Sequence, residues 1–124
     1  MLRDQSIARR RDAYQAGRAA ERLCVWLLRL KGYRVLARDW RVPVGEIDIL
    51  ARRGSVLAAI EVKRRGDLAT AAASVGPQQR RRILRALEAF VARRPALGEL
   101  TLRFDVMLVT PRAMPRHIVD AWRP

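Results

Sequence analysis

The spacing of apolar positions changes several times along the chain, and each change predicts a different structural element. Between Gly17 and Leu30 the apolar residues recur every three or four positions, which predicts a helix that ends just before Gly32. Residues 77–94 repeat this spacing behind Pro77, a residue that the first turn of a helix tolerates, and predict a second helix. The chain thus carries one helix near its start and another in its second half.

Short apolar runs bounded by turn residues predict strands between and after the helices. They cover residues 33–40, 46–53, 56–63, 101–109 and 115–122, the last as an edge strand. Pro43 breaks the chain after the first strand because proline cannot donate to a sheet ladder, and Gly54 with Ser55 suits a two-residue hairpin turn. Residues 66–76 are small and weakly patterned and predict a surface loop. This order predicts an α/β domain with one mixed sheet and helices against it.

Charge is the feature of the composition that changes this picture. The 124 residues suffice for one domain, and 26 lysines and arginines against 12 acidic residues give a net charge of +14. Such a surplus is typical of polyanion binders, so nucleic acid is considered before a basic surface that serves only solubility. Residues 1–16 are expected to form a basic arm, as a frayed helix, a mobile segment along phosphates or a disordered terminus, before a domain over residues 17–124.

Several other classes of protein are disfavoured. No run approaches the roughly 18 to 20 apolar residues that span a bilayer, no apolar signal core follows the N-terminus, and the three tryptophans are too scattered for a membrane-surface helix. Cys24 is the only cysteine, which precludes an internal disulfide or a cysteine zinc site and fits a cytoplasmic location. His117 is the only histidine and is expected to be structural or at the surface rather than catalytic, which disfavours serine or cysteine nucleophile chemistry. No nucleotide-binding glycine fingerprint or Walker loop is present.

The predicted hairpin brings charged side chains together. Its two-residue loop sets Asp48 opposite Glu61 and, in the same register, Glu46 opposite Lys63. These four residues share one face, since side chains alternate along a strand. The other face carries apolar residues expected in the core: Ile47, Ile49, Ile60 and Val62. The far end of the hairpin therefore combines a core face with a candidate catalytic cluster.

The facing carboxylates of this cluster indicate a cation. Asp48 and Glu61 would repel each other and destabilise the sheet unless positive charge lies between them. Mg²⁺ or Mn²⁺ would resolve this repulsion, because Mg²⁺ is held by one or two carboxylates and retained waters. Lys63 is one of only two lysines, and its compact ammonium can approach a scissile phosphate or an attacking water as a point charge. The competing interpretation is an ordinary lysine–glutamate pair at a sheet edge.

The spacing of Asp48 and the tripeptide from Glu61 to Lys63 resembles the D…(D/E)-x-K signature of restriction-endonuclease-like nucleases. The strings "GRAAERL", "GYRVLARDWR", "GEIDIL", "IEVKRR" and "RFDVMLV" together resemble the YraN-like family of small uncharacterised bacterial proteins. This resemblance runs from about Gly17 to the C-terminus. It implies a restriction-endonuclease-like αβββαβ core and a Mg²⁺-dependent phosphodiesterase site akin to that of archaeal Holliday junction resolvases.

The resemblance also implies roles for individual residues. Asp48 and Glu61 would be metal ligands, and Lys63 would orient or stabilise the attacking water. Two positions depart from the pattern. Ile47 stands where the nuclease signature has proline, and the second helix reads Gln-Arg from Gln79 where the family tends to have Lys-Gln. Support of the site by Gln79 therefore stays open at this point.

Glu21 in the first helix would match an additional acidic residue of the resolvases. It shares a helical stripe with Cys24 and Leu28, which is an odd place for an unpaired carboxylate. The alternative is an ordinary ion pair with the neighbouring Arg18 or Arg22. Both interpretations of Glu21 stay open on the sequence alone.

The sequence therefore predicts a metal-dependent endonuclease that hydrolyses nucleic-acid phosphodiester bonds, with branched DNA as a candidate substrate. The residues expected to contact the nucleic acid are Arg64, Arg65, Gln79, Arg81, Arg82 and Arg85. Such backbone contacts give salt-sensitive affinity without sequence choice. A resolvase needs two sites related by symmetry, so a homodimer follows if that analogy holds. The alternatives are a non-catalytic nucleic-acid-binding protein that retains the fold, and a basic protein-interaction or ribosome-associated factor.

Overall fold

A computed structural model describes residues 2–124 of the chain, with side chains from residue 5 onward. Its elements are α1 (Leu2–Leu30), β1 (Arg34–Val42), β2 (Gly45–Arg53), β3 (Val56–Lys63), α2 (Leu68–Ala71), α3 (Pro77–Ala92), a 3₁₀ helix (Pro95–Glu99), β4 (Thr101–Leu108) and β5 (Arg116–Trp122). The strands and α3 lie within about two residues of the ranges that the apolar spacing predicts. The start of α1 and the segment that contains α2 differ from the prediction.

The five strands form one mixed sheet whose spatial order, β1-β2-β3-β4-β5, follows the chain. β1, β2 and β3 are antiparallel neighbours joined by tight turns. β4 pairs with β3 in parallel, which requires a crossover, and α3 lies in that connection. β5 returns antiparallel to β4 at the edge of the sheet. This architecture confirms the predicted α/β fold with a mixed sheet flanked by helices, and the αβββαβ order of its core.

A hydrophobic core lies on each face of the sheet, because the strands present apolar residues to both sides in alternation. On one face, in what we call the α1 core, α1 buries Cys24, Val25 and Leu28 against Ile49, Ala51, Ala58, Ile60 and Met107. On the other face, in the α3 core, α3 buries Ile83, Leu87 and Phe90 against Leu50, Leu57, Ala59, Phe104 and Val106. The sheet thus lies between two helices, and side chains of both helices can contact the ends of β2 and β3 that lie away from their turn.

α1 begins at Leu2, much earlier than the helix predicted from Gly17. The side chains of residues 5–16 are all exposed, so no apolar stripe marks this part of the helix in the sequence. From residue 5 onward, the first buried side chain of α1 is Ala20. The expected basic arm is therefore helical from residue 2, while residue 1 lies outside the described residues, and contact of the arm with phosphates stays a prediction. Among the residues described, no helix is both long and apolar enough to cross a membrane.

The segment of residues 66–76 is not the plain loop that the sequence predicts, because it contains α2. Asp67 caps this short helix, and its Oδ1 accepts a hydrogen bond from the backbone N–H of Thr70 at 2.9 Å. Ala71 and Val75, four positions apart, are buried in the α3 core. Two small buried residues give too weak an apolar pattern to be recognised in the sequence, yet they hold the segment against the sheet.

Gly45 at the start of β2 allows α3 to approach the sheet closely. A Cβ atom at this position would lie 1.8 Å from the backbone carbonyl oxygen of Arg82. Only glycine fits such a contact, because the obstacle is backbone rather than a flexible side chain. The absence of a side chain at Gly45 therefore sets the distance between α3 and the charged end of β2.

Candidate active site

β2 and β3 separate at the end of their hairpin that lies away from the turn. Their pairing extends from the turn to Ile49 and Ile60, in the register that the two-residue loop predicts. Beyond this pair a side chain replaces the backbone partner, because Oδ2 of Asp48 accepts a hydrogen bond from the backbone N–H of Val62 at 2.9 Å. Asp48 is therefore anchored to β3 at the point where the two strands part.

At this level the side chains of β1 and β2 switch to the opposite faces of the sheet, so the predicted alternation of side chains in the hairpin is wrong here. The sequence predicts Ile47 and Ile49 on one face, but Ile47 packs in the α3 core and Ile49 in the α1 core. Opposite them in β1, Asp39 has a positive φ of 45°, which interrupts the alternation of side chains. Arg38 accordingly bonds to α1, whereas Trp40 packs on α3. The charged cluster consequently opens toward both helices.

Glu61 of β3 is held by Gln79 of α3, which answers the question that the sequence left open. The Nε2 atom of Gln79 donates a hydrogen bond to Oε1 of Glu61 at 2.7 Å. The Oε1 atom of Gln79 in turn accepts from Nζ of Lys63 at 3.3 Å, and the same ammonium lies 3.8 Å from Glu61. Gln79 therefore bridges the carboxylate and the ammonium and fixes their relative position.

Asp48 and Glu61 have carboxyl groups that are close together and largely buried. Burial raises the pKa of Glu61 to about 8, and the charge of Asp48 adds to the rise, while Lys63 opposes it. Burial also raises the pKa of Asp48, although the hydrogen bond from Val62 favours its ionised form. The two carboxyl groups line the same cavity and lie close enough that each shifts the pKa of the other. The pair therefore retains one proton at neutral pH unless a cation replaces it.

The sequence predicts Glu46 opposite Lys63, and this prediction is wrong. The pairing of β2 with β3 ends before Glu46 is reached. The half-exposed carboxylate of Glu46 instead accepts a hydrogen bond from Arg82 of α3 at 3.2 Å. Glu46 still lines, with Asp48 and Glu61, a cavity of about 160 Å³ between the hairpin and α3. We call this space the α3 cavity. Glu46 lies at its rim rather than in the buried pair.

A second space, the α1 cavity of about 220 Å³, lies on the other side of Asp48. Glu21 lines it, which brings the predicted additional acidic residue close to Asp48. The Glu21 carboxylate accepts a hydrogen bond from Nε of Arg38 at 3.2 Å. Its ion-pair partner is therefore in β1, whereas the sequence suggested Arg18 or Arg22, because the face change of β1 turns Arg38 toward the helix.

Sequence reasoning missed Tyr14 and Arg41, which also line the α1 cavity. For Tyr14 a signal exists. It lies three residues before Gly17 and seven before Glu21, so the helical stripe of Glu21 leads back to it when the helix is extended. Arg41 follows the face change of β1, and no local pattern in the sequence predicts that change.

The arginines expected to contact a nucleic-acid backbone take two kinds of position. Arg64 is exposed and lines the α1 cavity, and Arg82 lines the α3 cavity. Arg65, Arg81 and Arg85 are exposed and line neither cavity. Positive side chains therefore surround the mouths of both cavities, and further arginines lie on the outer surface.

Two carboxylates can hold a divalent cation only together with water or other oxygen ligands. In the part of the chain that the structure describes, no group of three or more His, Cys, Asp or Glu side chains could hold a metal by itself. Mg²⁺ suits a pair, because it accepts one or two carboxylates and keeps several waters. Asp48 and Glu61 fit such an ion, since its charge would replace the proton that the buried pair otherwise retains.

A separate charged cluster lies in the fold away from the hairpin ends, around Asp105 of β4, which is fully buried. Its carboxylate accepts hydrogen bonds from Arg103 at 2.8 and 2.9 Å, from the backbone N–H of Asp120 at 2.9 Å, and contacts Nε2 of His117 at 2.8 Å. Lys31 contacts the other ring nitrogen of His117 at 2.6 Å. This cluster joins β4, β5 and the end of α1, and the position of His117 agrees with the structural role expected for it.

Comparisons with known proteins cover most of the chain. The model of the uncharacterised protein family UPF0102 matches residues 20–109. A UPF0102 protein of Parvibaculum lavamentivorans is 54% identical over 112 residues, which are 90% of this chain and 84% of the relative. For one of Methylobacterium nodulans the identity is 49% over 119 residues, or 96% and 92% of the two chains. A relative in Paramagnetospirillum magneticum is 49% identical over 115 residues, 90% and 89% of the two chains.

Proposed function

Because the chain belongs to the uncharacterised protein family UPF0102, as its YraN-like strings predict, we propose its activity from the geometry of its own residues. The proposed activity is metal-dependent hydrolysis of nucleic-acid phosphodiester bonds, with DNA as the substrate. One observation carries this proposal. The largely buried carboxyl groups of Asp48 and Glu61 line the same cavity, and Gln79 holds Lys63 beside Glu61.

Each residue of this group has a task in the proposed reaction. Asp48 and Glu61 would hold Mg²⁺ or Mn²⁺, which when bound supplies Lewis acidity to the attacking water and offsets the charge of the phosphate. Lys63, positioned by Gln79, places an ammonium where negative charge develops during the displacement. Glu46 at the rim pairs with Arg82 and keeps this arginine at the mouth of the α3 cavity. The chain's own side chains thus provide binding, orientation and charge for one reaction.

The arginines around the two cavities support a polyanionic substrate. Arg41 lines both cavities, and Arg64 and Arg82 line one each. Contacts of this kind bind phosphates without reading sequence, and each contact releases a counterion. Affinity for DNA should therefore fall steeply as salt is raised. A net charge of +14 extends the same attraction to the whole surface.

The test of this proposal combines metal binding with cleavage. Mg²⁺ and Mn²⁺ are titrated by calorimetry into the wild type, Asp48→Asn and, as a matched control, Glu88→Gln, which removes an exposed carboxylate of α3. The same proteins are then incubated with labelled branched and linear DNA. The proposal expects wild type and control to bind metal and cut DNA, and Asp48→Asn to lose both properties.

The opposite result has a definite meaning. If all three proteins bind DNA equally, and none binds metal or cuts, the nuclease proposal fails. The net charge would then support the alternative, a non-catalytic nucleic-acid-binding protein that retains the fold.

A further inference from the structure

An exposed tyrosine lies at the mouth of the α1 cavity, and the guanidinium of Arg18 lies 5.6 Å from the centroid of its ring. Tyr14 is 62% exposed and lines the cavity together with Asp48. Its hydroxyl accepts a hydrogen bond from Arg18 at 3.0 Å, one helical turn further on. The ring therefore has a defined position while most of its surface faces solvent.

The helix surface beside this ring is open. Gly17 lies between Tyr14 and Glu21 on the same helical face, and a Cβ there would meet only the guanidinium of Arg64, at 4.0 Å. Glycine inside a helix costs about 1 kcal/mol relative to alanine, so the helix gives up stability at this position. The gain is free space between an aromatic ring and the candidate catalytic carboxylate.

We propose that Tyr14 is a stacking platform for an unpaired nucleobase next to the phosphodiester bond that is cut. This inference rests on the proposed nuclease function and names its substrate class: nucleic acid with a single-stranded segment at the site, such as a flap, a fork or a single strand. Bases in a continuous duplex already stack on both faces, whereas an unpaired base has a free face for an aromatic side chain.

The charges around Tyr14 fit this substrate. Arg18, Arg41 and Arg64 line the same cavity as the ring, so the phosphates on either side of a stacked base would meet guanidinium groups. Aromatic rings set among basic side chains are the usual arrangement of surfaces that bind single strands. Trp26 on the same helix is also exposed, at 56%, but does not line the cavity. It therefore offers a matched aromatic control.

The test measures binding without metal, so that it does not depend on cleavage. Wild type, Tyr14→Ala, Tyr14→Phe and Trp26→Ala are titrated in EDTA against fluorescent DNA, as a single strand, a flap and a blunt duplex. Tyr14→Ala should weaken binding to the single strand and the flap by about tenfold, as expected for the loss of one stacked base, with the duplex changed less than about twofold. Tyr14→Phe, which keeps the ring, and Trp26→Ala should match the wild type.

A spectroscopic measurement separates stacking from a structural effect. With 2-aminopurine as the unpaired base, wild type and Tyr14→Phe should quench its fluorescence, and Tyr14→Ala should not. Two results would overturn the inference. One is that Tyr14→Ala changes the affinity for all three DNAs by the same factor relative to the wild type, and the other is that the wild type does not quench the fluorescence. If the wild type still cuts DNA when either of these results is found, the nuclease proposal holds and the stacking role of Tyr14 fails. If quenching depends on Tyr14 but no metal-dependent cleavage occurs, the unpaired-base preference stands and the cleavage proposal fails.

Discussion

The side-chain amide of Gln79 donates to Glu61 at 2.7 Å and accepts from Lys63 at 3.3 Å, so one neutral residue on α3 joins a carboxylate and an ammonium of β3. The two charged groups lie two residues apart on one strand, and their direct separation of 3.8 Å is long for a strong ion pair. The amide supplies the shorter contacts. The position of α3 thereby controls the geometry of the candidate site.

Replacing Gln79 with leucine should weaken metal binding with little effect on stability. The hydrogen bond of Gln79 favours the ionised form of Glu61, so its loss should raise the pKa of Glu61 further and free Lys63 to move. Residues that orient metal ligands typically contribute 10- to 100-fold in affinity, and we expect about tenfold here by calorimetric titration. Gln78→Leu, on the exposed side of α3, is the control. Equal affinities of the two variants would contradict this role.

The stability of the metal-free protein should fall as the pH rises from about 4.5 to about 8. In this range the folded protein holds a proton at Glu61, whose pKa is raised from 4.5 to about 8, whereas the unfolded chain has lost it. Between pH 6 and pH 8 the free energy of unfolding should decrease by roughly 2 kcal/mol. Thermal melts in EDTA measure this decrease, which Glu61→Gln should remove and Glu88→Gln should leave in place.

Gly45→Ala should destabilise the protein because α3 would have to move. The added Cβ would lie 1.8 Å from the carbonyl oxygen of Arg82, and overpacking of this kind costs about 1 to 3 kcal/mol or more. The displacement would also lengthen the hydrogen bond from Gln79 to Glu61, so metal affinity should fall together with stability. Gly98→Ala, where an added Cβ meets no atom within 4 Å, is the matched control for urea unfolding. Similar midpoints for both variants would count against this contact.

Asp105→Asn should destabilise the fold by about 2 to 4 kcal/mol, because it leaves Arg103 without its buried countercharge. Burial alone would raise the pKa of Asp105, but hydrogen bonds from His117 and Arg103 outweigh it and hold the pKa below its ordinary value of 3.8. This stabilisation is therefore present above pH 3.8 and is lost as the pH falls below it. Asp120→Asn, which changes an ion pair with the exposed Arg123, should cost far less in chemical denaturation at pH 7.

Features that depend on neighbouring residues could be predicted from the sequence. Gly54 and Ser55 define a hairpin turn, and the turn alone gives the register that pairs Ile49 with Ile60. The apolar spacing of residues 77–92 gives α3, since its buried positions follow one helical stripe. The proximity of Asp48 to Glu61 follows from the same register.

Features that depend on contacts between distant elements could not be predicted. The face change at Asp39 requires a positive φ in a non-glycine residue, which no local pattern indicates, and it decides that Arg38 rather than Arg18 pairs with Glu21. The exposed half of α1 buries too little apolar surface to produce a stripe. The partners of Asp105 come from β4 and β5, and only the folded sheet brings them together.

At the level of Asp48 the single sheet is divided into two smaller ones. β1 and β2 remain paired there through Trp40 and Ile47, and β3 remains paired with β4 through Glu61 and Val106. The hydrogen bond from the backbone N–H of Val62 to Asp48 joins the two parts, beside the cavity that the carboxyl groups of Asp48 and Glu61 line together. A cation held by both carboxylates would connect the two parts. Its binding would therefore slow amide hydrogen exchange both in β1 with β2 and in β3 with β4.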